Sequence, residues 1–83
     1  MSLDNRKAKI KFNCRRGMLE LDLMLNRFVS EHLNALDEAQ LTAFETLLML
    51  QDPDLHYWLM TDDIMEQKEL ADIVATIKAH HTR

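Results

Sequence analysis

Three side chains of this sequence are potential nucleophiles, Ser2, Cys14 and Ser30, and four histidines, His32, His56, His80 and His81, are potential proton carriers or metal ligands near neutral pH. A nucleophile needs a neighbouring base that is itself held in place. Ser2 falls at the extreme N-terminus and Ser30 inside a run patterned as helix. Cys14 reads as a small, half-buried apolar residue, although Arg15 and Arg16 beside it favour a thiolate. The histidines do not pair with a second ligand at helical spacing, and the sequence holds neither a second cysteine nor an acid-flanked zinc pattern, so no metal site is expected. Aspartate and glutamate total 14, but paired catalytic carboxylates need a pocket that perturbs them, and a chain of 83 residues leaves little volume beyond its own core. One glycine in the whole sequence rules out a glycine-rich phosphate loop or dinucleotide fingerprint. The expectation is a protein that is not an enzyme and holds no cofactor of its own.

That single glycine, Gly17, lies in the stretch CRRGMLELD, residues 14–22. Glycine within helical sequence costs about 1 kcal/mol relative to alanine, so its position asks for a reason. Arg15 and Arg16 fall where a first helix ends and Glu20 where a second begins, each charge complementing a helix dipole. Gly17 either closes the first helix in a left-handed conformation or caps the second, with Glu20 reaching back to its N–H. A tight junction with Arg16 and Glu20 paired across it accounts for these residues, and an exposed pair of that kind contributes less than about 1 kcal/mol. From the residues alone the junction is preferred over a contact surface.

The elements that carry these residues follow from periodicity. A first helix is expected from about Asp4 to Cys14, with Ala8, Ile10, Phe12 and Cys14 set among bases in a mixed pattern. A second, from about Gly17 to Leu33, places Leu21, Met24, Leu25, Phe28, Val29 and Leu33 at three-and-four spacing, a buried stripe. Asp37 with Gln40 three residues on forms a capping box ahead of a third helix carrying Leu41, Phe44, Leu47, Leu48 and Leu50. Asp52 caps a short fourth helix that starts at Pro53, runs to about Met60 and buries Leu55, Trp58 and Leu59. After TDDIMEQ a fifth helix shows the stripe Leu70, Ile73, Val74 and Ile77, and the terminal AHHTR is expected to fray.

Composition agrees: 47% hydrophobic residues, six methionines, one proline and one glycine point to an all-α chain, a compact five-helix bundle with a single domain over 1–83. Of the methionines Met18, Met24, Met49, Met60 and Met65, most fall on apolar stripes and read as core filling. No apolar run reaches the roughly 18–20 residues of a membrane span, and the lone cysteine suits a reducing cytoplasm. The net charge of −4 conceals a polarity, +5 up to Arg16 and −9 from Gly17 onward. A basic contact surface on the first helix (Arg6, Lys7, Lys9, Lys11, Arg15, Arg16) is one reading of it. Nucleic-acid binding is not favoured, because the acidic remainder opposes it and Phe12, the lone aromatic there, is expected in the core.

RRGMLELD, residues 15–22, followed by LLMLQDPDLHYWLM, residues 47–60, closely resembles the bacterial succinate dehydrogenase assembly factor, or flavinylation factor, family. The resemblance covers essentially the whole chain. Its R-G-x-x-E motif falls on Arg16, Gly17 and Glu20, and its second block on Asp52, Pro53, Asp54, Leu55, Trp58 and Leu59. The segment after Met60 lacks a glycine that some relatives have there. The resemblance implies a five-helix cytoplasmic monomer. Such a protein binds the flavoprotein subunit of succinate dehydrogenase, in some bacteria that of fumarate reductase, and promotes covalent attachment of FAD to a client histidine. It implies that Arg16, Gly17 and Glu20, with Arg15 and Met18 adjoining, lie at the client interface; physically, Arg16 can make a bidentate contact to a carboxylate there and Glu20 can receive a base. Asp52, Pro53, Asp54 and Trp58 support that surface. A small antitoxin-like regulator without a flavin role is the alternative.

Overall fold

The computed structural model describes residues 3–81, and side chains from residue 4, so Ser2 and the terminal Thr82 and Arg83 lie outside the described residues. Five helices form: α1 Leu3–Asn13, α2 Leu19–His32, α3 Glu38–Leu48, α4 Asp52–Met60 and α5 Lys68–His81, with a 3-10 turn, Leu33–Ala35, continuing α2. There is no strand among the described residues.

The helix ends have local causes. Asp37 accepts from the Gln40 N–H at 2.8 Å while the Asp37 N–H donates to the Gln40 side chain at 2.9 Å, so the capping box that starts α3 is complete. Helix α2 starts on an extended Met18 with no side-chain cap; Glu20 and Asp22 in its first turn complement the dipole instead. Gln51, rather than Asp52, is the N-cap of α4, and Pro53 sits within its first turn, where its missing N–H is no loss. Asp52 is freed for another use. At the far end of α4, the Thr61 N–H and hydroxyl both donate to Tyr57 O, and Lys78 Nζ on α5 reaches Thr61 O.

Helix α5 packs against α2, α3 and α4, and α1 lies on α3. The stripes predicted for α2 and α5 are buried without exception, and Phe28 of α2 meets Phe44 of α3 edge to face at 5.6 Å. On α3, Leu41, Phe44, Leu47 and Leu48 are buried, whereas Leu50 lies past the helix and is partly covered. The radius of gyration, 11.8 Å, is that of a folded chain of this length. Arg6 of α1 ties that helix to α3 by donating to Glu45 at 2.9 Å and Thr42 at 2.8 Å and by pairing with Glu38.

Several expectations are corrected. Ile10 on α1 and Cys14 just past its end, four apart, face the core, and Phe12 between them is turned roughly 200° away and is 72% exposed. Ala8 is exposed with it. Cys14 is fully rather than half buried. Trp58 is half-buried, because Leu55 and Leu59 take the core side of α4. Met24 is buried and Met18 and Met65 lean on the core, but Met49 and Met60 are surface residues. Helix α5 does not fray at Ala79: it runs on to His81, and His80 continues the stripe one turn beyond Ile77, in ring contact with Phe28 and His32.

Candidate functional site

The junction between α1 and α2 is built around Arg16. Its Nε donates to Asp52 Oδ1 at 2.8 Å, Nη1 to Leu48 O at 2.9 Å and Asn13 O at 3.0 Å, and Nη2 to Leu50 O. Leu48 closes α3 and Leu50 follows it, so the guanidinium sits at the negative end of that helix dipole, while Asp52 opens α4. One side chain thus pins the end of α1, the end of α3 and the start of α4. The fork is occupied and its side chain is only 13% exposed. Within the chain its carboxylate partner is Asp52, and the Arg16–Glu20 pair expected across the junction is replaced by Arg16–Asp52.

The backbone is fixed as firmly. The Arg16 N–H donates to Asp22 Oδ1 at 2.7 Å, and Asn26 Nδ2 donates to Asp22 O at 2.7 Å and Cys14 O at 3.4 Å. Cys14 below is wholly buried, and that burial pushes its thiol up to about 12, against the smaller opposing pull of Arg16. It is not a nucleophile near neutral pH.

On this clamp stands Gly17, exposed, with φ +82° and open space where a side chain would begin. Conformation, not crowding, requires glycine here. It lies past the end of α1 and before the Met18 cap of α2, so it is a left-handed link rather than the cap of either helix. Glu20 does not reach back to it. The Glu20 carboxylate projects 70% exposed, 3.7 Å from His56 Nε2 on α4. Arg15 is exposed, and Met18 is partly buried against the core. Pro53 and Asp54 lie exposed in the first turn of α4. The result is a ledge of Arg15, Gly17 and Glu20, with His56 at its edge, raised on the Arg16–Asp52 clamp. Two exposed leucines on α2, Leu19 (75%) and Leu23 (59%), adjoin it at helical spacing. Sequence reasoning missed His56, Asp22 and these leucines. The signals present were only an acid in the first turn of α2 and two leucines off its apolar stripe.

A family model, described as the flavinator of succinate dehydrogenase, matches residues 8–81. The chain belongs to the succinate dehydrogenase flavinator family. It is 48% identical over 77 residues to a protein of Legionella pneumophila (strain Lens) named FAD assembly factor SdhE, a match covering 92% of this chain and 96% of that one. A Vibrio cholerae protein of the same name is 44% identical over 75 residues, covering 90% and 87%. The solution structure of a UPF0350 protein, 41% identical, superimposes with a TM-score of 0.79 over 99% of this chain and 87% of that one. The flavinator match spans both ends of the clamp, Arg16 and Asp52, and all of the ledge residues.

The four histidines and the acids form no group of three or more metal-ligating side chains among the described residues. No helix among them is long and apolar enough to cross a membrane.

Proposed function

We propose that this chain is an assembly chaperone that binds the flavoprotein subunit of succinate dehydrogenase and promotes covalent attachment of FAD to it. Membership of the flavinator family over residues 8–81, with relatives named FAD assembly factor at 44–48% identity, is the observation that carries this reading.

The ledge supplies a physical route. Gly17 allows a partner's backbone to approach without meeting a side chain, and Glu20 offers an exposed carboxylate to a base or backbone N–H of the client. Arg15 and Met18 flank the contact. Arg16 is a positioning residue: with Asp52, and with Pro53 and Asp54 in the first turn of α4 and Trp58 farther along that helix, it holds the ledge rigid, and a preorganised surface loses less entropy on docking. Binding one near-native state of the client and not others stabilises that state by about 2.7 kcal/mol when the factor is present at a hundred times its Kd. The client thereby spends more time in the conformation in which it attaches its own flavin. The attachment chemistry belongs to the client and its FAD. This chain acts as a cytoplasmic monomer, carries no FAD itself and performs no catalysis, and a fumarate reductase flavoprotein is a second client.

Flavin fluorescence of the denatured client in a gel reads the outcome. Client expressed with the wild-type chain should fluoresce strongly, and with Gly17→Arg or Glu20→Ala weakly. Equal fluorescence with and without the chain would remove the proposal. The antitoxin-like regulator is not favoured, because the family match falls on a flavinator.

A further inference from the structure

The six bases that make the N-terminal end +5 are not equivalent once folded. Arg6 and Arg16 are consumed by internal ion pairs, and Lys7 Nζ donates to Asn34 Oδ1 at 2.9 Å. Lys9, Lys11 and Arg15 remain exposed and, among the described residues, without an ion-pair partner. Two of these, Lys11 and Arg15, stand on the rim of a groove between α1 and α2. It is an open trough of about 570 Å³, also lined by Phe12, Asn26, Val29, Ser30, Leu33 and Asn34.

The composition of that lining is specific. It contains two cations and no carboxylate, in a chain whose remaining body is strongly acidic. Val29 and Leu33, one helical turn apart, provide an apolar floor, and Ser30 of α2 adds a hydroxyl, while Asn26 and Asn34 line the groove with side chains already bonded to Asp22 O and Cys14 O and to Lys7 Nζ. Phe12 is 72% exposed over it, whereas the other two phenylalanines are wholly buried. Leaving a ring of this size in water forgoes its burial free energy, which a partner covering it recovers. The trough is continuous with the ledge, because Arg15 belongs to both.

We infer that this α1–α2 groove is a second docking surface, for an acidic segment of the client flavoprotein that carries a bulky apolar side chain. Carboxylates of that segment pair with Lys11 and Arg15 and its apolar residue packs between Phe12 and the Val29–Leu33 floor. This deepens the proposed function and rests on it. The ledge presents Arg15, Gly17 and Glu20 but no aromatic side chain; the groove adds Phe12, an aromatic anchor of the kind that dominates interface energetics, beside the Arg15 they share.

The test is the Kd between the full chain and the purified succinate dehydrogenase flavoprotein subunit, with circular dichroism to verify that each variant is folded. Phe12→Ala and Lys11→Glu are each expected to weaken binding tenfold or more, Phe12→Trp to leave it within about twofold, and the Lys11→Glu deficit to shrink as salt is raised from 50 to 500 mM. A photoreactive benzoylphenylalanine at position 12 should cross-link a client peptide rich in Asp and Glu. Wild-type affinity in both Phe12→Ala and Lys11→Glu overturns the groove while leaving the proposed function standing. Absence of binding by the wild-type chain removes both. A cross-linked basic peptide, or sedimentation of the free chain as a dimer that Phe12→Ala dissolves, assigns the groove to another occupant and likewise overturns the inference.

Discussion

Replacing Arg16 with alanine should damage the fold before it damages any contact with a partner. Deletion of the guanidinium removes four hydrogen bonds, leaves Leu48 O and Leu50 O at the end of α3 without this donor, and strands the Asp52 carboxylate, which is 35% exposed. Hydrogen bonds to charged groups contribute about 1.5–3 kcal/mol, and breaking a buried ion pair costs about 3–5 kcal/mol. Because Asp52 retains some water, the low end applies, and a loss of about 3 kcal/mol is expected. For a chain this short, total stability is on the order of 4–12 kcal/mol, so Tm should fall by roughly 15 °C. Arg16→Lys keeps the charge but not the fork, and about half of the loss should return. Asp52→Ala leaves Arg16 with its three carbonyl partners and should cost about 1.5–2 kcal/mol, the low end for a hydrogen bond between charged groups. Urea titration followed at 222 nm gives these differences directly. A functional arm separates the two roles of arginine: if Arg16 acts by positioning, client flavinylation by Arg16→Ala should recover at low temperature or in a stabilising osmolyte. An Arg16→Ala protein within about 0.5 kcal/mol of wild type that still fails to support flavinylation would refute the reasoning, since Arg16 would then have to reach the client itself.

Gly17→Ala and Gly17→Arg should each lose about 1–2 kcal/mol from the left-handed backbone, since a Cβ there has open space around it; both should fold, and only Gly17→Arg should lose client binding. Equal loss of binding by both would show that the junction geometry alone matters. The Cys14 thiol should react with Ellman's reagent at pH 8 only as fast as the protein opens, because burial suppresses its ionisation. Its folded pKa, about 12, lies above the ordinary 9.0, so the folded state favours the protonated thiol. That contribution to stability is complete below about pH 9 and lost as pH rises toward 12, and Cys14→Ala should lack this component of alkaline destabilisation. Asp37→Ala removes one half of a closed capping box and should lower stability by about 1 kcal/mol in the same urea assay, without touching flavinylation.

What the sequence disclosed was chiefly what a single helix can encode by itself. The α2 stripe from Leu21 to Leu33, the α5 stripe from Leu70 to Ile77 and the Asp37–Gln40 box all follow from spacings of three and four residues, and all are present. Phe12 was misplaced because apolar type was weighed over helical angle: with Ile10 and Cys14 fixing the inner face of α1, a residue two places from each must point outward. The terminal AHHTR reads as a frayed end, yet His80 extends the Ile73–Ile77 stripe by one further turn. The Arg16–Asp52 bond spans 36 residues and has no local signature, and only the packed bundle brings the end of α3 and the start of α4 to the same guanidinium. The two sequence blocks that carried the family resemblance are therefore physically one structure. The exposed Gly17 and Glu20 were legible as a motif, but that Arg16 stands beneath them rather than beside them was not.

Reconstitution tests the central claim most directly. Purified apo-flavoprotein subunit of succinate dehydrogenase, supplied with FAD, is incubated with and without an equal amount of this chain, and covalently bound flavin is followed over time after denaturation. A faster approach to full flavinylation with the wild-type chain, and little or no acceleration with folded Gly17→Arg, is the predicted result. The same time course in all three reactions would contradict the account.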